Sequence, residues 1–160
     1  EYRQVAIIDR QGAAVAHTGS QVRQVCGQRV GSGFVAIGSM LASERVLDAL
    51  KERFESDSQA DLEDRILSTL EAGRDAGGLK GSNGPLCERS VALIVWGTND
   101  YSDLDLRVDL HDAAIAELRR MYVDFKPTME YYEERARHPH NATPAMEFAD
   151  MLKKKQKALS

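Results

Sequence analysis

From Leu104 to His111 the chain alternates without a break: Leu104, Leu106, Val108 and Leu110 are apolar, and Asp105, Arg107, Asp109 and His111 are not. Period two is the pattern of a strand with one covered face, because successive side chains point to opposite sides. It predicts a strand over residues 104–110. Same-face neighbours on a strand stand ~6.5–7 Å apart. An acid, a guanidinium, a second acid and an imidazole would therefore form a row within reach of one small ligand. A solvated strand face laced with Asp–Arg pairs, each contributing ~0–1 kcal/mol, would look the same. Charge alone does not separate these two readings.

The strand needs a partner, and the sequence offers one. Val91-Ala92-Leu93-Ile94-Val95-Trp96 is a continuous apolar run, as expected for a strand covered on both faces. The turn Thr98-Asn99-Asp100-Tyr101-Ser102 joins the two as a hairpin. Near the start, Val5–Ile8 and Ala13–Thr18 flank Asp9-Arg10-Gln11-Gly12, a second hairpin. Gly33–Gly38 reads as a further strand after a turn at Val30-Gly31-Ser32.

Helices fill the rest. Ser43 can cap a helix carrying Val46, Leu47, Leu50 and Phe54. Asp61 can cap another, with Leu62, Ile66, Leu67 and Leu70 on one stripe and Gly73 as its stop. Five glycines and Pro85 make residues 73–88 a long loop, a kind of segment that is usually functional or mobile. Asp112 caps a helix with Ile115, Leu118 and Tyr122, expected to end before Pro127. A short amphipathic helix follows over 127–137. Thr143 and Pro144 then start a last one, with Ala145, Phe148, Ala149 and Leu152 facing inward. Strand runs separated by helix runs, joined by hairpins, predict an α+β protein rather than alternating βαβ winding.

Composition narrows the partners. A hydrophobic content of 42% and a charged content of 29% suit a globular chain with a core. The net charge of −4 is spread evenly, with 10 basic and 12 acidic side chains in residues 1–80 and 11 and 13 in 81–160. Neither half carries a phosphate-backbone footprint, so no nucleic-acid partner is expected. The run Val91–Trp96 is far short of the ~20 residues of a membrane helix, so no membrane partner is expected either. No signal peptide precedes the first strand. Cys26 and Cys87 lie in no metal-like spacing, and two free thiols suit a reducing, cytoplasmic compartment.

Several smaller features carry less. Gly27, Gly31 and Gly33 lack the Gly-Lys-Ser/Thr of a phosphate loop and read as turn glycines. His138-Pro139-His140 has no third ligand at a useful spacing, so no metal and no other cofactor is expected. Lys153-Lys154-Lys155-Gln156-Lys157 most simply complements a helix C-terminus. His17-Thr18-Gly19-Ser20 is either a catalytic corner or a turn that bonds its own backbone. Gly38-Ser39-Met40-Leu41 is either a plain strand-to-helix turn or a donor site for a carbonyl oxygen.

Taken together, some of these segments resemble an uncharacterised bacterial and archaeal family, a domain of unknown function related in fold to the N-terminal-nucleophile (Ntn) hydrolases. The resemblance lies in Tyr2-Arg3-Gln4 to Asp9, Thr18-Gly19, Gly38-Ser39-Met40-Leu41, Glu71-Ala72-Gly73 to Gly78, and Arg89-Ser90-Val91-Ala92-Leu93. Its most specific part is Asp105-Leu106-Arg107-Val108-Asp109 with His111, running on to Glu117-Leu118-Arg119-Arg120. It implies a four-layer αββα sandwich over residues 1–122 that lacks its opening strands, with residues 123–160 as a helical C-terminal extension. It also implies hydrolysis of a small amide at a non-peptide C–N bond. The nucleophile would lie on an N-terminal segment of the same gene product, since Glu1 cannot serve. Ser39 stands where similar sequences carry Asn and would be the catalytic donor, with His111 as acid or base or as the group that fixes Asp109. Arg107, flanked by Asp105 and Asp109, would orient a substrate carboxylate. The alternative is a non-catalytic binding or scaffold protein on the same fold. A sheet with missing strands leaves open edges, so a homodimer is expected.

Overall fold

The computed structural model describes residues 1–159, with side chains described through Lys154. Lys155 and Lys157 of the basic run therefore lie outside the described side chains. The chain divides into two compact units, Glu1–Arg119 and Arg120–Ser160. The described residues hold four helices and four two-stranded antiparallel sheets.

In the first unit, β1 (Gln4–Ile8) and β2 (Ala14–Thr18) form the expected hairpin, closed where Asp9 Oδ1 accepts the N–H groups of Gln11 and Ala13. The next hairpin differs from expectation. Gly27–Gly31 is not a set of turns but β3, paired along its length with β4 (Phe34–Gly38), and of the three glycines only Gly33 sits in the turn. One apolar residue between two glycines gives no periodic signal, so pairing rather than propensity makes this strand. Gln4 clasps the two hairpins together: its Nε2 lies 3.0 Å from Thr18 Oγ1, 2.9 Å from Gly27 O and 3.0 Å from Gly38 O.

Helix α1 (Arg45–Ser56) packs on β3 and β4, with Leu47 fully buried near Gly27. Its N-cap is Glu44 rather than Ser43, with no side-chain cap bond. Helix α2 (Leu62–Asp75) starts after Asp61 as expected but runs past Gly73. A Cβ on Gly73 would sit 2.6 Å from Leu50 Cδ2, so this glycine permits the close approach of α1 and α2 instead of stopping the helix. The stop is made by Gly77 and Gly78, at φ 119° and 55°, where the Gly78 N–H donates to Gly73 O at 3.1 Å.

The expected long loop contains a short hairpin, β5 (Leu79–Gly81) with β6 (Gly84–Leu86). Next comes the hairpin of β7 (Val91–Trp96) and β8 (Ser102–Val108). Leu93, Val95, Leu104 and Val108 are buried, whereas Ile94 and Trp96 are exposed. Strand β7 is thus covered on one face only, because its outer side chains oppose the polar face of β8. On the covered side β7 contacts α2, and Ala114, Ile115 and Leu118 in the first turns of α3 (Ala114–Arg137) are buried as well.

Helix α3 does not end before Pro127 but contains it. One proline removes a single backbone bond at a cost of ~3 kcal/mol. Helix formers and ion pairs on both sides, Arg120–Asp124 and Arg137–Glu133, favour continuation. In the second unit, α4 (Ala145–Leu159) follows Pro144 as expected. Phe148 stacks on Tyr131 with centroids 3.9 Å apart, and the Tyr131 hydroxyl donates to Thr143 O at 3.0 Å. Phe148, Ala149 and Leu152 are half-buried, but Ala145 is exposed. No helix among the described residues is long and apolar enough to cross a membrane.

Candidate functional site

The four residues after β4 run between two other backbone segments. On one side the Leu41 N–H donates to Val25 O at 3.0 Å. On the other, Lys80 N–H donates to Met40 O at 2.7 Å and Ala42 N–H to Gly78 O at 2.9 Å. Held between them, Met40 sits at φ 57°, a left-handed conformation that no other non-glycine residue among those described adopts. For an L-residue that costs roughly 1–2 kcal/mol, and such strain persists only where the surroundings enforce it. Both flanking backbones enforce it here.

Over this crossing lies an open groove of about 860 Å³, within the range of small-molecule sites. Three segments line it: Arg23–Val25, Met40–Ala42, and Lys80–Asn83 with Leu86. Its floor is apolar, and no carboxylate is among the lining residues. The Arg23 guanidinium touches only the Met40 sulfur, at 4.0 Å, and neither it nor the Lys80 ammonium has a carboxylate partner. Ser39 is half-buried, immediately precedes Met40, and makes no side-chain hydrogen bond.

The row read from the alternating sequence is arranged otherwise. Asp105 and Arg107 do face outward from β8, but the strand ends at Val108, so Asp109 and His111 lie beyond it. Arg107 Nε and Nη2 both donate to Asp109 Oδ1, at 2.9 and 2.6 Å. These bonds, then the Asp109 charge, hold the guanidinium more firmly protonated than usual. Arg107 is 69% exposed. His111 Nδ1 accepts the Ala113 N–H at 3.0 Å, and its own backbone N–H donates to Arg89 O at 2.9 Å. The imidazole thus holds the start of α3, and Leu110 is exposed rather than inward. Arg107, Asp105 and Asp109 come together; Ser39 and His111 share no hydrogen bond, and neither is among the residues that line the groove.

At the neighbouring corner the Thr18 hydroxyl donates to Gln28 Oε1 and accepts from Gln4, which commits it to the clasp, while His17 is exposed on β2. Arg119 is bound more completely than any group in the row. Its Nε and Nη2 reach the two carboxylate oxygens of Glu71 at 2.9 and 3.1 Å, Nη1 reaches Asp64 at 2.7 Å, and Nη2 also meets Ser68 Oγ at 3.1 Å. This clamp ties the start of α3 to α2. Both cysteines are free, Cys26 half-buried and Cys87 exposed. Among the described residues, no three His, Cys, Asp or Glu side chains converge as a metal site would require.

Sequence reading missed Arg23, Lys80 and Asn83. Its only pointers to the groove were the glycine-rich segment at 73–88 and the Gly38-Ser39-Met40-Leu41 turn.

The sequence model of a family of unknown function, DUF1028, matches residues 1–118. Among solved structures, the crystal structure of a DUF1028 protein from Silicibacter pomeroyi is similar, at 32% identity and a TM-score of 0.66. The alignment covers 78% of this chain and 52% of that one, so the chain spans about half the length of that protein. No protein of curated function matches. The family match takes in the groove, the β7–β8 hairpin and the start of α3, and the chain belongs to the DUF1028 family.

Proposed function

We propose that residues 1–122 form part of an αββα sandwich of the Ntn-hydrolase type, extended by a helical segment over 123–160, and that the groove beside Ser39 and Met40 holds a small amide for hydrolysis. The observation that carries this reading is the strained Met40, fixed between two backbones at the floor of a groove of ligand size. A donor near Ser39 would face the oxyanion that develops on the amide carbonyl. The nucleophile is assigned to a part of the family fold outside these 160 residues, since the chain spans about half the length of its solved relative. Arg107, with Asp105 and Asp109, is the competing place for a substrate carboxylate, with His111 as the nearby acid or base. The groove is preferred because its cations are already free, whereas Arg107 must first release Asp109.

A second reading, ligand binding without catalysis, is favoured by the chemistry around Ser39. Its hydroxyl has no hydrogen-bonded base, and the His111 Nδ1 is occupied by a backbone N–H. Both readings place the ligand in the groove. A second copy of the chain is the proposed cover for the exposed apolar face of Val5, Ile7 and Val15, and the two free cysteines suit the cytoplasm. Light scattering that finds a concentration-independent monomer would remove the dimer from this account.

The test compares amide hydrolysis by these 160 residues with that by the intact gene product, whose mature N-terminus is read by mass spectrometry. The enzyme reading expects turnover only from the latter, with Ser, Thr or Cys as its first residue. Turnover by the 160 residues alone would overturn the assignment of an outside nucleophile and move attention to Ser39 and His17.

A further inference from the structure

The charges of the groove say more about its occupant than its size does. Several described arginines meet an acid: Arg29 pairs with Asp48 across elements, Arg119 with Glu71 and Asp64, and Arg107 with the nearby Asp109. In a chain of net charge −4, acids to pair with are plentiful. Arg23 and Lys80, both exposed, pair with no acid and line one groove. They come from segments 57 positions apart in sequence, line the same groove, and face no carboxylate there. Val25, Met40, Leu41 and Leu86 line the same groove, apolar side chains that include a thioether. Thioethers make favourable contacts with aromatic rings, and guanidinium and ammonium groups bind carboxylates through charge-assisted hydrogen bonds. Asn83 and Ser82 add neutral polar groups at the rim, able to meet an amide.

Resting on the reading that the groove holds a small amide, we propose that its ligand is an anionic amide of a particular build: a carboxylate paired with Arg23 and Lys80, joined through the amide to an aryl or alkyl body lying on Val25, Leu41 and Leu86. N-acylated amino acids have this build. A neutral amide of the same shape would leave both cations without partners, and a small inorganic anion would leave the floor uncovered. The groove thus selects on two properties at once.

Isothermal titration of the 160-residue chain with N-benzoylglycine, its neutral amide N-benzoylglycinamide, and inorganic phosphate tests this directly. The expected result is that N-benzoylglycine binds at least tenfold more tightly than either, with affinity that falls as salt rises. Arg23→Gln and Lys80→Gln should each weaken it about tenfold, the two together approaching the affinity of the neutral compound, while Arg107→Gln leaves it unchanged. The salt dependence and the neutral comparison use the unaltered chain, so the outcome does not depend on a variant folding. If acid and neutral amide bind equally, the groove reading stands and the anionic preference is overturned. If phosphate binds as tightly as N-benzoylglycine, the apolar floor plays no part and the proposed ligand build is wrong. If none of the three binds at millimolar concentration, the groove reading itself falls.

Discussion

Two clusters of charge on this chain look alike in composition and differ in what they can do. On β8, Arg107 stands between Asp105 and Asp109 and spends both inward N–H groups on one Asp109 oxygen. In the groove, Arg23 and Lys80 share a space with apolar side chains and with no acid. The first cluster arises from neighbours in sequence and satisfies itself. The second brings together cations from two distant segments, exposed to solvent and with no acid beside them. A row of alternating charge is conspicuous because its members are adjacent, and for the same reason they neutralise one another. The proposed ligand therefore goes where the fold has left cations without acids.

The comparison can be broken first at the groove, where the largest effect is expected. Replacing both cations, Arg23→Gln with Lys80→Gln, should weaken N-benzoylglycine about a hundredfold, since each charged hydrogen bond contributes ~1.5–3 kcal/mol. Titration calorimetry reads this, and an unchanged affinity would make the groove cations ordinary surface charge.

Arg119 supplies the next largest effect and a control on what a paired arginine contributes when it is packed. Its side chain is 23% exposed and bridges Glu71, Asp64 and Ser68. Removing one partner of a largely buried ion pair leaves the other charge uncompensated, so Arg119→Ala should cost about 2 kcal/mol. That corresponds to a fall in Tm of ~4–8 °C for a chain of this size. Lysine should recover little of it, because it cannot reproduce the planar fork. An alanine variant that melts with the wild type would dissolve the distinction between clamp and surface pair.

Arg107 should show neither effect. Arg107→Ala and Arg107→Lys are both expected to leave Tm and ligand affinity within error, because the pair with Asp109 is open to water and screened. A loss of binding in either would restore the row as the ligand site.

The smallest effect concerns Asp48, whose carboxyl is held below its usual range by the Arg29 hydrogen bond, then by the Arg29 charge. A depressed folded pKa contributes stability that is present above the unfolded value and lost as pH falls through the folded one. Below about pH 4, wild-type Tm should therefore drop slightly faster than that of Asp48→Asn. Parallel pH profiles would show that the pair contributes nothing.

Much of this fold could be read in advance where the pattern was local. The hairpins β1–β2 and β7–β8 and the start of α2 follow from runs of residues that carry their own period or cap. What escaped was set by contacts between distant segments. Strand β3 has almost no apolar residue and exists through its pairing with β4. Gly73 looks like a stop in sequence and is a contact point in space. Pro127 breaks one hydrogen bond of α3 without ending it. The site followed the same rule: Asp105, Arg107 and Asp109 were found because they are adjacent, His111 proved to hold the start of a helix, and Arg23 and Lys80 had no pattern to announce them. Only the turn at Ser39–Met40 and the glycine-rich segment at 73–88 pointed toward the groove before the fold was known.

Backbone amide shifts decide whether a ligand of this chain lies over Met40 or on β8. With isotope-labelled protein and N-benzoylglycine titrated to saturation, the account predicts shifts concentrated at residues 23–25, 39–42 and 80–86, with the signals of residues 104–111 unmoved. Shifts centred on Arg107 and Asp109, with the groove silent, would contradict it.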